Sequence, residues 1–580
     1  MESVYSHDDD PDRDEFDDAD NDEFDDADAD ADNDTQEGGA DLMPLYWICN
    51  QFGGVRNKWE TLVHNGVMFP PEYQVHHVPV LYDTKPVELD PRSEEVATFY
   101  AKYLGTDYVK NPRFNRNFWR DWRDVLGPDH VIQSFDLVDF TPIHEYLEDQ
   151  REAKKEVSPE QKETLKEQKE REEAPYRVAV VDGKEQPVGN FRVEPPGLFL
   201  GRGNHPKTGM VKRRIYPEDV TLNLSADAPI PATLPGHQWG EVISDKSVDW
   251  LASWKDDITG KTKYVWLGAL SDIKGKSDMA KFETARRLKR RIKGIREENI
   301  VNMASPDPKL RQIATAVYLI DTFALRVGGE VDTSERADTI GVNSLRVEHV
   351  TLLSDYLIKL DFLGKDSVRY LNVIPVLPIV YENIADFMRG KAPGDDLFDL
   401  ITPSDINKYL QTFMKGLTAK VFRTFNASNI FSKELRKVSK KYDGYEGDDR
   451  EKLLLEEFNK ANIKVAKLMN HQKNISKSHG EQIEKLNTQI KALSSKLRSV
   501  KTTPARAKQL RKRIKDLKTK KKLKSELKNL SLGTSKINYI DPRVTVSFVR
   551  LHGFPLDKLF TKAMMDKFKW AFDVGPDFVW

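Results

Sequence analysis

GTSKINYIDPR, residues Gly533–Arg543, packs Lys536, Asn538, Tyr539 and Arg543 into one short span. Working back along the chain, two other stretches have the same character. Asn470-His471-Gln472 ends an apolar helix over Ile463–Met469, and LTAKVFRTFNAS (Leu417–Ser428) puts Lys420 and Arg423 one helical turn apart on one face. Each is weak alone, since a single tyrosine usually packs and a single buried arginine usually pairs with an acid. A fourth stretch, Gly201–Gly209 (GRGNHPKTG), sets Arg202, Asn204, His205 and Lys207 among three glycines, with Lys212-Arg213-Arg214 close behind. Glycines let a backbone approach its ligand closely, and such a concentration of donors suits phosphate diesters. A solvated basic loop accounts for the same residues equally well.

The 580 residues exceed what one core supports, so several lobes are expected. The formal net charge of −3 hides a segregation. Residues 1–40 hold 19 acids against one base, whereas residues 41–580 hold 89 bases against 74 acids. The first 40 residues, with EFDDAD at Glu15–Asp20 and again at Glu23–Asp28, are expected to be a disordered acidic tail. The basic remainder points to a polyanionic partner. Helices are expected over Ser93–Leu104 with Ser93 as cap, Ser158–Glu173, Lys281–Arg296 and Lys309–Arg326, the last stopped by Gly328-Gly329. Tyr356, Ile358, Leu360 and Phe362 alternate with polar residues, Leu363–Asp366 turns the chain and Ser367–Val373 returns, a hairpin. Residues 481–530 carry 17 bases and 4 acids over apolar positions at three-four spacing, broken at Thr502-Thr503-Pro504. That pattern predicts an antiparallel coiled coil with a basic exterior. From Leu532 a small aromatic-rich helical domain is expected.

Several function classes drop out. One cysteine, Cys49, forms neither an internal disulfide nor a cysteine-based zinc site. No apolar run approaches the roughly 18 residues of a membrane span, and the N-terminus lacks a signal-peptide pattern. Gly275-Lys276-Ser277 imitates the end of a phosphate loop, but Leu270 stands where the first glycine belongs. The work of this chain is therefore not expected to need ATP, and no metal site is expected, a divalent cation being at most stimulatory. We expect an intracellular, reducing compartment.

The order of longer blocks resolves the ambiguity. SEEVATFYAKYL, VEPPGLFLGRGNHPKTGM, KRRIYPEDV, KFETARRLK, SLRVEHV, DFLGKDSVRYLN, DDLFD, GLTAKVFRTFNAS, NHQ and LGTSKINYIDPR follow one another as in the eukaryotic-type type IB DNA topoisomerases, which the chain resembles from about Trp59 to its end. The resemblance implies a multidomain α+β fold: DNA-binding core lobes of mixed α/β structure over 41–271 acting as a cap, a mainly helical catalytic domain of the tyrosine recombinase/topoisomerase IB type over 272–474, a coiled-coil linker over 475–530 and a C-terminal domain over 531–580 carrying the nucleophile. Tyr539 matches the family's nucleophile, which attacks a DNA phosphodiester and becomes joined to the 3′ phosphate. Arg326, Arg423 and His471 match the donors to the non-bridging oxygens. Guanidinium suits that task because its planar fork meets two oxygens, and paired arginines ease ionisation of a phenol, whose free pKa is about 10. Lys365, on the hairpin tip, matches the general acid for the departing 5′ oxygen.

The resemblance also implies DNA contacts from Arg202, Asn204, His205, Lys207, Lys212, Lys263, Tyr264, Lys274, Lys281, Asp366, Lys420 and Asn538. Arg202, Asp366 and Asn538 match positions that hold camptothecin-type poisons. The partner is then duplex DNA held with weak sequence preference by a monomer, in the nucleus or, for a viral source, with viral or nucleoid DNA. Two departures stand out: Leu200 where the family often has arginine, and Gly329 where it has asparagine, which is expected to loosen the surroundings of Arg326. A tyrosine recombinase shares the order of catalytic side chains, but the GRGNHPKTG loop and the basic coiled coil expected between His471 and Tyr539 argue against it.

Overall fold

The computed structural model describes residues 57–201, 203–329, 338–473, 478–498 and 503–580. The acidic tail, Cys49 and Arg202 lie outside the described residues. Among the described residues no helix is long and apolar enough to cross a membrane, and no group of three or more His, Cys, Asp or Glu side chains could hold a metal ion.

Two lobes precede residue 268. The first packs a sheet ordered Glu241–Ile243, Val220–Asn223, Trp250–Lys255, Thr262–Trp266 with an antiparallel sheet of Leu62–His64, Val178–Val181 and Lys184–Pro187. Their inner faces share one core around Trp59, Leu222, Trp254 and Val265. His64 is buried in it. Its Nε2 lies 3.0 Å from the Asn223 carbonyl, and its Nδ1 accepts from Gly66 N–H at 3.0 Å, so a neutral ring is fully satisfied. Burial pushes its pKa down to about 4. Below pH ~6.5 the unfolded chain takes up a proton that the folded ring refuses, so stability falls as pH drops from 6.5 towards 4. At pH 5 this costs about 2 kcal/mol. Urea titration at pH 7 and pH 5 is expected to show a smaller acid loss for His64→Gln than for the parent.

The second lobe is built on aromatics at helical spacing. Phe114, Phe118 and Trp122, on helix Pro112–Leu126, are fully buried against Tyr100 and Phe140. The helix expected over Ser93–Leu104 runs instead over Pro91–Ala101, because Asp90 caps it by accepting from Arg92 and Ser93 N–H, and Pro91 occupies the first helical position. Ser93 is buried inside the helix. The polar helix Pro159–Glu173 starts with a capping box between Ser158 and Gln161, as its sequence requires.

A two-stranded ribbon, Gly197–Leu198 with Val211–Lys212, presents the 201–209 loop at its end. Asn117 Nδ2 donates to the Pro206 and Thr208 carbonyls at 2.9 and 2.7 Å, anchoring the loop to the aromatic lobe. Gly209 (φ +88) is required here, since a Cβ would strike the Phe114 carbonyl.

The rest is mainly helical. The 32-residue helix Asp272–Met303 packs against Pro308–Phe323 and Ala419–Lys441, with Pro378–Met388, Pro403–Phe413 and Arg450–Met469 completing the core. One antiparallel sheet, Val350–Leu353, Leu357–Leu363, Arg369–Pro375, holds the expected hairpin, with Ile358, Leu360 and Phe362 inward. Tyr356 leaves the alternation: it is exposed, with φ 55, in the preceding turn. Helices His479–Arg498 and Pro504–Glu526 lie against each other, burying Leu486 and Ile514, and Thr503 caps the second. The chain ends in Leu532–Asn538, Pro542–His552 and Lys562–Lys567.

Candidate active site

The helix carrying Arg423 begins at Ala419, and within its first turns the expected basic face splits. Lys420 is exposed, whereas Arg423 is 5% exposed. The reason is what the guanidinium caps. Its Nη1 donates to the Ala324 carbonyl and its Nη2 to the Met469 carbonyl at 3.3 Å. These are the terminal carbonyls of Pro308–Phe323 and Arg450–Met469, whose chains leave through left-handed Ala324 (φ 51) and Asn470 (φ 56). A fixed cation thus meets two negative helix ends. One turn on, Asn426 Nδ2 donates to the Asp321 carbonyl at 2.5 Å, and Arg296 grips the Asp321 carboxylate at 2.6 and 2.9 Å.

The helix expected to run to Arg326 therefore stops at Phe323, ahead of the glycine pair, because the carbonyl of left-handed Ala324 goes to Arg423. Arg326 lies beyond the helix, in chain without regular secondary structure. Val342 N–H donates to its carbonyl at 2.9 Å and Asn343 N–H to that of Val327 at 2.6 Å. Gly328 (φ +71) makes this possible: a Cβ there would meet Gly341 Cα at 2.5 Å. Ile340 N–H in turn donates to the Leu363 carbonyl at 2.7 Å, joining this segment to the hairpin.

Lys365 sits in a single turn, Lys365–Ser367, at the hairpin tip, where Asp366 and Ser367 both have positive φ (64 and 57). At the other flank of the tip, Asn470 Nδ2 and Gln472 Nε2 donate to the Arg369 carbonyl at 3.3 and 3.1 Å. The hairpin with Lys365 is thereby fastened to the turn that presents His471.

His471 is 7% exposed. Its Nδ1 lies 2.7 Å from Ser535 Oγ, and its ring centroid lies 5.1 Å from that of Tyr539. Burial, then the charges of Arg423 and Arg326, hold its pKa well below the usual imidazole value, so the ring is neutral. Tyr539 follows the short helix Leu532–Asn538 and is 9% exposed, with Arg423 Cζ 5.0 Å from its ring centroid. Ser428 Oγ donates to the Tyr539 carbonyl at 3.0 Å and accepts from Asp541 N–H at 2.9 Å, clamping the backbone on both sides of Ile540. Beyond it, Arg543 pairs with Asp541 at 2.7 Å and Glu283 at 2.6 Å, tying the C-terminal segment to the 272–303 helix.

One phenol, two guanidinium groups and a neutral imidazole thus converge from four separate segments, with Lys365 joined through backbone anchors. Ser428 and Ser535 belong to this arrangement and gave no signal in sequence, since an isolated serine in a helix has no distinguishing pattern.

The remaining candidates are spread along the lobes. Lys212 and Lys263 share Glu194 at 3.1 and 3.3 Å. Lys274 lies over Trp266 and Lys281 over Phe282, the latter also 3.0 Å from Asp278. The Tyr264 ring lies tilted against Trp250 and Trp266, with centroids 5.7 and 5.4 Å apart. Lys207 Nζ donates to the Ile258 carbonyl at 2.7 Å, and His205 Nδ1 accepts from Lys207 N–H at 3.1 Å, so both help to fix the loop's shape. Asn204 and Asp366 are exposed and Asn538 is half-buried. Gly203 (φ +58) stands against Ser367, where a Cβ would meet Oγ at 2.2 Å. The 201–209 loop and the hairpin tip therefore touch.

Three family profiles match consecutive parts of the chain: "Eukaryotic DNA topoisomerase I, DNA binding fragment" over 57–267, its catalytic core over 270–504, and "C-terminal topoisomerase domain" over 511–580. Among curated relatives, DNA topoisomerase 1 of Homo sapiens is 41% identical over 552 residues, covering 90% of this chain and 71% of its own length. The chain belongs to the eukaryotic DNA topoisomerase I family. The Candidozyma auris member is 40% identical, covering 91% of this chain and 84% of its own length. DNA topoisomerase 1 alpha of Arabidopsis thaliana is 46% identical over 91% of this chain, which spans only 60% of that relative.

Proposed function

We propose that the chain is a type IB DNA topoisomerase that relaxes positive and negative supercoils without ATP. The observation that carries this reading is the Tyr539 phenol flanked by Arg423 and His471, each about 5 Å from its ring. In this reading Tyr539 Oη attacks a backbone phosphorus, losing its proton to water. The phosphorus–5′-oxygen bond breaks as the 3′-phosphotyrosyl bond forms, and the leaving oxygen takes a proton from Lys365. One phosphate ester replaces another, so resealing needs no external energy. Arg326, Arg423 and His471 donate to the non-bridging oxygens, where charge grows in the transition state. The cut strand swivels before the 5′ hydroxyl returns.

Duplex DNA is clamped between the lobes of 41–271 and the catalytic domain 272–474, with Arg202, Asn204, His205, Lys207, Lys212, Lys263, Tyr264, Lys274, Lys281, Asp366, Lys420 and Asn538 along it. Phosphate contacts position rather than specify, so preference is weak and binding steeply salt-dependent. Helices His479–Arg498 and Pro504–Glu526 form a coiled-coil linker within 475–530, and the 17 bases of 481–530 brake the swivelling duplex electrostatically, while 531–580 delivers the nucleophile. The enzyme acts as a nuclear monomer, and Arg202, Asp366 and Asn538 form the site for a camptothecin-type poison at the nick.

The test is relaxation of supercoiled plasmid with neither nucleotide nor metal, followed by peptide mapping of the trapped adduct. Relaxation and a nucleotide on Tyr539 are expected, with activity collapsing as salt rises. An adduct on another side chain, or none, sinks the reading.

A further inference from the structure

A neutral imidazole has one N–H, and donation to a phosphate oxygen requires that proton on a particular nitrogen. In this site the two nitrogens of His471 differ completely. Nδ1 has Ser535 Oγ at 2.7 Å. Nε2 is buried and finds no hydrogen-bond partner among the described residues. Ser535 is itself fully buried, and among the described residues its hydroxyl has no hydrogen-bond partner but Nδ1.

Resting on the reading of His471 as a donor, we propose that Ser535 is the positioning residue that fixes its tautomer, the hydroxyl donating to Nδ1 so that the ring proton resides on Nε2 and meets the phosphate. The opposite arrangement, Nδ1–H donating to Oγ, satisfies Ser535 equally well but turns a lone pair on Nε2 towards an anionic oxygen. Bound DNA selects the first arrangement because only that one makes a charge-assisted bond. With the hydroxyl removed, Nδ1 is left buried and unsatisfied in either tautomer, and nothing holds the ring in register. Ser535 also accepts from Tyr539 and Ile540 N–H through its carbonyl, at 3.1 and 2.9 Å. A side-chain change leaves those bonds in place, so the hydroxyl's contribution can be isolated. Histidine and serine are 64 positions apart in the chain, and the second residue supports the first as outer partners support metal-bound imidazoles.

The experiment measures single-turnover cleavage of a duplex whose cut strand diffuses away, using the full chain with Ser535→Ala, His471→Gln and both together. Ser535→Ala is expected to slow cleavage by about tenfold to a hundredfold without changing DNA affinity. In the His471→Gln background it is expected to slow nothing further, because a glutamine amide has no tautomer to set. Parent-like cleavage by Ser535→Ala, or a full additional loss in the double variant, overturns the proposal. Parent-like cleavage by His471→Gln instead overturns the donor reading beneath it. A 15N-histidine spectrum of the parent on uncleaved DNA gives a second measurement that needs no serine variant. The resonance absent from His471→Gln is expected to report Nε2–H, and Nδ1–H there overturns the proposal.

Discussion

Replacing Tyr539 with phenylalanine is expected to abolish plasmid relaxation, a loss on the order of 10⁴-fold or more, since removing a covalent nucleophile removes the pathway rather than one contribution to it. The variant is well suited to the question because the rest of the residue survives. The ring stays against Arg423 and His471, and Ser428 still clamps the backbone at the Tyr539 carbonyl. Only the hydroxyl goes, so the lobes should fold and DNA affinity should hold. Relaxation assays, trapped-adduct gels and mobility shifts on one preparation make the three readouts comparable. Normal relaxation by Tyr539→Phe would falsify the mechanism. Loss of DNA binding along with relaxation would instead mark the ring as structural.

The second large effect is expected at Lys365. Cleaving a phosphodiester expels an alkoxide of high basicity, and a positioned acid contributes about 10²- to 10⁴-fold. Lys365→Ala is therefore expected to slow cleavage by that factor. The tip's geometry depends on the positive φ of Asp366 and Ser367 and on the donors from Asn470 and Gln472 to Arg369, none of which involves the lysine's side chain. The loop should keep its shape. A substrate with sulfur in place of the 5′-bridging oxygen separates acid catalysis from charge stabilisation. A thiolate leaves without protonation, so the variant should recover most of the parent's rate on it. An equal deficit on both substrates would show that Lys365 acts as a fixed charge.

Much of this was legible in sequence where the signal is periodic or local. The hairpin, the polar helix starting at Ser158 and the proline break before the second of the two long basic helices all appeared because a few neighbouring residues determine them. Helix ends were less legible. Ser93 looked like a cap, yet Asp90 and Pro91 three and two residues earlier compete for the same role and win. The helix thought to reach Arg326 ends before it because Arg423, nearly a hundred positions away, takes the Ala324 carbonyl. No local rule contains that information. Ser428 and Ser535 stayed silent for the same reason: their partners are distant in the chain, and serine's own pattern carries no weight. Within the site, resemblance pointed to the proposed reacting groups, and folding revealed the residues that hold them.

The segment between His471 and Ser531 leaves and returns at one point. Ser531 N–H donates to the His471 carbonyl at 3.1 Å, Lys473 N–H to that of Asn529 at 3.0 Å, and Gln472 pairs with Leu530. The two long helices hang from this neck like a flag from a pole. Their length can then drift over evolutionary time without disturbing the geometry at the neck, because closing a longer excursion adds little entropy. The neck itself, rather than the long helices, therefore keeps the backbone of His471 within reach of the segment that carries Tyr539.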